Sequence, residues 1–159
     1  MATINATLNI SSADLTSSPI TFSKKMTMTK HVDSTRAGDG LEFTSGLVRR
    51  KYTAVTEVDL VPTGLQVYGT PTASKAGKLY IKNTGSSTTD FVSISLGDAT
   101  GGEELDDGTS KITLGKLYGG DWMIMPYNGS TDINVASSTT EPQTLEWCVF
   151  ADGIVEAAG

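Results

Sequence analysis

The only histidine, His31, lies close to Asp33 and Ser34, and together the three supply the residue types of a base, an orienting acid and a nucleophile. Their closeness along the chain works against that chemistry. In an extended segment neighbouring side chains point to opposite faces, so a proton cannot be relayed from one to the next. Asp98, Glu103, Glu104, Asp106 and Asp107 offer hard oxygen donors of the kind calcium takes, but their spacing matches no calcium loop. A solvated acidic loop accounts for them more simply. The one thiol, Cys148, lies within the apolar run Trp147-Cys148-Val149-Phe150 with no CxxC partner, which reads as a small buried hydrophobe. The Asn-x-Ser/Thr triplets at Asn5, Asn9 and Asn128 carry weight only behind a secretory leader, and the N-terminus has no basic region followed by an apolar one. No phosphate-binding loop, nucleophile elbow, HExxH or dinucleotide fingerprint occurs. The expectation is a protein that is not an enzyme and that uses no cofactor or metal. A pair of catalytic carboxylates far apart in sequence is the one enzymatic arrangement this pattern leaves open.

Residues suited to binding are more prominent. Arg49, Arg50 and Lys51 form the strongest basic cluster in a chain of net charge −6, and can meet carboxylates on a partner or simply face water. Trp122 and Trp147, with Tyr80, Tyr118 and Tyr127, have the makings of an aromatic platform for sugar rings. Both tryptophans lie in apolar runs, which favours the core or a subunit contact instead. Met26, Met28, Met123 and Met125 fall in pairs two residues apart, the spacing of one strand face, so buried core is the preferred reading for them. The candidate interface residues are Arg49, Arg50, Lys51 and Trp122. An acidic balance argues against nucleic acid as a partner, since phosphate binding rests on a lysine and arginine excess.

These residues must be held by strands. No window carries the i, i+3, i+4, i+7 apolar pattern of a helix without an interruption. Serine and threonine together occupy 39 of the 159 positions, 16 and 23 respectively, and threonine suits the half-exposed pleated surface of a sheet. Alternating or apolar runs fall at 4–10, 20–28, 41–43, 47–60, 65–68, 78–82, 91–96, 111–114, 122–126, 133–135 and 145–151, separated by glycine-, proline- and asparagine-rich turns. The basic pair Lys24 and Lys25 suggests a bulge or turn in the second run. Many short strands without helices predict an all-β, antiparallel sandwich or jelly-roll-like fold in one domain. Residues 1–18 are expected to form an N-terminal strand or an arm reaching a neighbour, and residues 19–159 the sandwich. No stretch reaches the length of an apolar membrane span, and the chain is read as soluble and made in a cytoplasm.

Residues 77–152 contain an ordered set of motifs: Gly77-Lys78-Leu79-Tyr80-Ile81-Lys82-Asn83, the strand 91–96, Lys116-Leu117-Tyr118-Gly119-Gly120-Asp121-Trp122, Met125-Pro126 and Thr144-Leu145-Glu146-Trp147-Cys148-Val149-Phe150. This order resembles a β module found in structural proteins of tailed bacteriophages, both capsid decoration (cement) proteins and tail-associated ones. The resemblance implies a virion protein that docks on the major capsid protein or other virion subunits, as a homo-oligomer with a trimer favoured. The tail, baseplate or fibre is the alternative site, and a carbohydrate-binding module the alternative class.

Overall fold

The computed structural model describes residues 3–12, 20–29, 43–53, 55–61, 77–97, 112–127 and 132–151. Within them the chain is all β, with antiparallel sheets packed in a sandwich-like arrangement. The strands are β1 (Thr3–Ser12), β2 (Ile20–Thr29), β3 (Phe43–Thr44), β4 (Val48–Tyr52), β5 (Val58–Val61), β6 (Gly77–Asn83), β7 (Phe91–Leu96), β8 (Ile112–Tyr118), β9 (Trp122–Tyr127), β10 (Ile133–Ser137) and β11 (Gln143–Ala151).

One sheet runs β5-β10-β7-β8. The second runs β3-β11-β6-β9, with β4 on the same side of β11 as β3. Period-two alternation decides which side of each strand is buried. In β6, Leu79 and Ile81 point inward while Lys78, Tyr80 and Lys82 point out. Leu145, Trp147 and Val149 lie in register beside the inward residues from β11. Facing them from the four-stranded sheet are Leu60, Val92, Ile94, Leu117, Ile133 and Val135. Each such side chain withdrawn from water stabilises the fold by about 1.5–3 kcal/mol.

The motif Leu117-Tyr118-Gly119-Gly120-Asp121-Trp122 is the corner where the chain leaves one sheet for the other, since β8 and β9 belong to different sheets. Gly120 adopts φ +90°, which a side chain would resist. Gly119 lies so close to Ser86 and Ser87 that a Cβ there would come within 2.6 Å of a backbone nitrogen. The end of β6 locks this corner. Asn83 donates its backbone N–H to the Asp121 carbonyl at 2.9 Å and accepts from the Gly120 N–H at 2.9 Å. Its fully buried side-chain amide donates to the Leu117 carbonyl at 3.1 Å and to Gln143 Oε1 at 3.4 Å, while its Oδ1 accepts from the Gly85 N–H at 3.0 Å.

β1 pairs with β2 over ten positions, from Thr3↔Thr29 to Ser12↔Ile20, so the paired unit spans both sides of position 18. Among the described residues this hairpin forms a sheet of its own. No register shift interrupts it, so Lys24 and Lys25 mark neither a bulge nor a turn. The expected run 47–60 is two strands, β4 and β5, in different sheets. The expected strand at 65–68 lies outside the described residues.

Candidate docking face

The outer side of the five-stranded sheet gathers most of the binding residues. Register places Arg49 of β4 opposite Glu146 of β11, Glu146 opposite Lys82 of β6, and Lys82 opposite Trp122 of β9. The result is one row across four strands reading cation, anion, cation, indole. The adjacent row holds Cys148, Tyr80 and Ile124, and the next holds Phe150, Lys78 and Pro126.

Glu146 organises the row. Arg49 Nη2 donates to its Oε2 at 2.8 Å, and the Tyr80 hydroxyl donates to its Oε1 at 3.2 Å. The Arg49 hydrogen bond holds the Glu146 carboxyl below its ordinary value of 4.5; partial burial opposes this, and Tyr80, the Arg49 charge and Lys82 reinforce it. Burial, then the contact with Glu146, pushes the Tyr80 phenol up. With Glu146 engaged by two donors, the Lys82 ammonium makes no hydrogen bond or ion pair among the described residues. It stands beside a tryptophan that is 45% exposed.

A cleft of about 350 Å³ opens between this face and the hairpin. Trp122, Ile124, Tyr80, Lys82 and Phe150 form its floor, and Asn5, Ala6, Thr7 and Met26 its other wall. Ala6 and Met26 are paired across the hairpin and are half-buried there.

The expected interface residues divide. Arg49, Lys51 and Trp122 share the outer face. Arg50 alternates to the other side of β4, its guanidinium 5.5 Å from the Tyr52 ring centroid. The five aromatics do not make one platform. Tyr80 and Trp122 face out, Trp147 is in the core, Tyr127 packs against the core, and Tyr118 tilts against Phe91 with ring centroids 5.4 Å apart. Core placement therefore describes Trp147 but not Trp122, which lies one residue out of phase with the inward Met123. Met123 and Met125 pack on the core as expected, whereas Met26 lines the cleft. Cys148 is buried, as expected, with Ser45 Oγ at 3.8 Å from its sulfur. His31 with Asp33 and Ser34, the acidic cluster 98–107 and Asn128 lie outside the described residues. Lys82 and Glu146 were missed in the sequence; the signal was the alternation of β6 and β11, which puts both on one face.

Among the described residues no group of three or more His, Cys, Asp or Glu side chains comes together as a metal site, and no helix is long and apolar enough to cross a membrane. No family model matches this sequence, and no curated protein or solved structure matches it.

Proposed function

We propose that this chain is a non-enzymatic structural protein of a tailed-phage particle, a decoration or cement subunit that docks on the assembled head and stabilises it. The observation that carries this reading is the outer face of the five-stranded sheet, where exposed Trp122 lies in one row with Lys82, Glu146 and Arg49. Large aromatic and arginine side chains supply most of the binding energy at protein interfaces, and charges at the rim steer the approach. The motif order in residues 77–152 gives the partner its class, the major capsid protein or another virion subunit. Linkage gives the mechanism. A subunit that binds only the assembled lattice lowers its free energy by about 4 kcal/mol per site when present at 1,000 times its Kd.

The test adds the protein to capsids that lack accessory subunits and measures occupancy by sedimentation. Trp122→Ala is expected to lower occupancy without lowering the melting temperature of the free subunit. Binding to purified tails but not to heads moves the protein to the tail. Binding to neither sinks the virion reading. The cleft favours a second reading, because Trp122 and Tyr80 beside Asn5 and Lys82 combine a stacking surface with hydrogen-bonding groups. Saturable quenching of Trp122 fluorescence by an oligosaccharide, absent in Trp122→Ala, would support a carbohydrate-binding module instead.

A further inference from the structure

Lys82 is a half-buried cation whose neighbouring acid is already engaged. Register sets it between Glu146 of β11 and Trp122 of β9. Glu146 gives Oε2 to Arg49 at 2.8 Å and Oε1 to the Tyr80 hydroxyl at 3.2 Å. The row therefore carries two cations, Arg49 and Lys82, against one anion, a local +1 in a chain of net −6. Drawing a charge partly out of water costs free energy that a counter-charge restores. Among the described residues that line the cleft, Lys82 brings a charge and none brings an acid.

The rest of the lining states what else an anion must offer. At about 350 Å³ the cleft falls within the roughly 300–1,000 Å³ of small-ligand sites. Trp122, 45% exposed, presents an indole for a flat apolar surface. Polar groups stand on both walls. Asn5 accepts from Thr27 Oγ1 at 2.9 Å through its Oδ1, which leaves its amide nitrogen to donate. The Tyr80 oxygen donates to Glu146 and retains the capacity to accept, and Thr7 adds a hydroxyl. An aromatic acid would stack on the indole and pair with Lys82, but would leave these three polar groups unmatched. A neutral sugar would leave the cation uncompensated. A phosphate ester, at about −1.5 to −2, brings more charge than one ammonium balances.

We propose that the cleft is a binding site for a carboxylated sugar, a hexuronic acid residue of an oligosaccharide. Its carboxylate pairs with Lys82, its C–H face stacks on Trp122, and its hydroxyls meet Asn5, Thr7 and Tyr80. Arg49 is a positioning residue: by holding the Glu146 carboxylate it keeps that acid from pairing with Lys82. The proposal rests on the second reading of this cleft, as a sugar site, and does not depend on docking to a capsid.

The experiment titrates the full-length chain in a calorimeter with a hexuronic acid oligosaccharide, with the same oligosaccharide after reduction of its carboxyls to alcohols, and with phenylacetate. Melting temperatures confirm that each variant is folded. The acidic oligosaccharide is expected to bind saturably, and more weakly as salt is raised. Carboxyl reduction and Lys82→Met are each expected to weaken binding by roughly tenfold or more. Arg49→Met, at a residue outside the cleft lining, is expected to weaken it as well, and adding Glu146→Gln to that variant to restore it. A merely structural role for Arg49 would show no such rescue, and its absence would overturn the positioning role. Equal binding of the reduced oligosaccharide overturns the proposal and leaves a neutral-sugar site standing. Tighter binding of phenylacetate than of the acidic oligosaccharide overturns it in favour of an aromatic acid. If neither oligosaccharide binds at millimolar concentration, the proposal falls together with the sugar reading.

Discussion

Replacing Asn83 with leucine keeps a forked side chain of similar reach and removes every hydrogen bond that the amide makes. The Leu117 carbonyl and Gln143 Oε1 each lose a donor, and the Gly85 N–H loses its acceptor. Asn83 and Gln143 are both buried, so water does not readily replace what is lost there, whereas Gly85 is only part-buried. At about 1–3 kcal/mol for each buried group left unsatisfied, two such groups give about 2–6 kcal/mol, a large share of the roughly 5–15 kcal/mol that holds a typical domain. The amide also ties the end of β6 to the corner that carries the chain between sheets, so the loss falls where the two layers join. Urea denaturation followed by tryptophan fluorescence measures it directly. The midpoint is expected to fall with little change in slope, and the melting temperature to fall by about 4–24 °C, at about 2–4 °C per kcal/mol for a chain of this length. A free-energy change below about 0.5 kcal/mol would refute the assignment of Asn83 as the corner's tie.

Gly119→Ala forces a Cβ within 2.6–2.7 Å of the Ser86 and Ser87 backbone, and is expected to cost about 2 kcal/mol or more in the same assay. Glu146→Gln tests a depressed carboxyl: the folded-state value lies below the ordinary 4.5, so the stability contributed is fully present above pH 4.5 and is lost as pH falls through the folded value. The difference in melting temperature between wild type and variant is expected to be largest near neutral pH and to vanish in acid. Tyr127 is pushed up to about 12 by burial and by Asp132, so its neutral form stabilises the fold fully below pH 10, and that contribution disappears as pH rises through about 12. Tyr127→Phe is expected to lose less stability over that alkaline interval, read by circular dichroism melts.

The strands with clean alternation were legible, because a period of two both identifies a strand and assigns its faces. Gly77-Lys78-Leu79-Tyr80-Ile81-Lys82-Asn83 is the clearest example, and its outward lysines and tyrosine follow from the pattern alone. The sequence left Trp122 between the core and a subunit contact because Trp122-Met123-Ile124-Met125-Pro126 is apolar throughout and carries no phase. A register shift of one residue exchanges the faces, and only pairing with β6 selects between them. The run 47–60 hid a change of sheet for a related reason. It contains no glycine or proline, and the crossing from β4 to β5 is imposed by the packing of the two layers. Cross-sheet rows are illegible in principle from one strand at a time. Arg49, Glu146, Lys82 and Trp122 come from four strands as far as 97 positions apart in the case of Arg49 and Glu146, and only the ladder aligns them.

Stability and recognition fall on different residues of the same strands, and this separates two classes of defect. In β6, Leu79, Ile81 and Asn83 face the core, while Tyr80 and Lys82 alternate to the outer face. In β9, Met123 and Met125 pack inward while Trp122 stands out. An inward substitution lowers the population of folded subunit, so it reduces binding only to the extent that the protein unfolds, and lowering the temperature recovers it. An outward substitution leaves the folded population unchanged and removes contacts in the complex, so cooling does not restore binding. Measuring occupancy for Asn83→Leu and Trp122→Ala at a temperature well below both melting transitions therefore isolates the docking face. Asn83→Leu is expected to bind as the wild type does, and Trp122→Ala to remain defective. If both variants bound normally there, the outer face would have no part in docking.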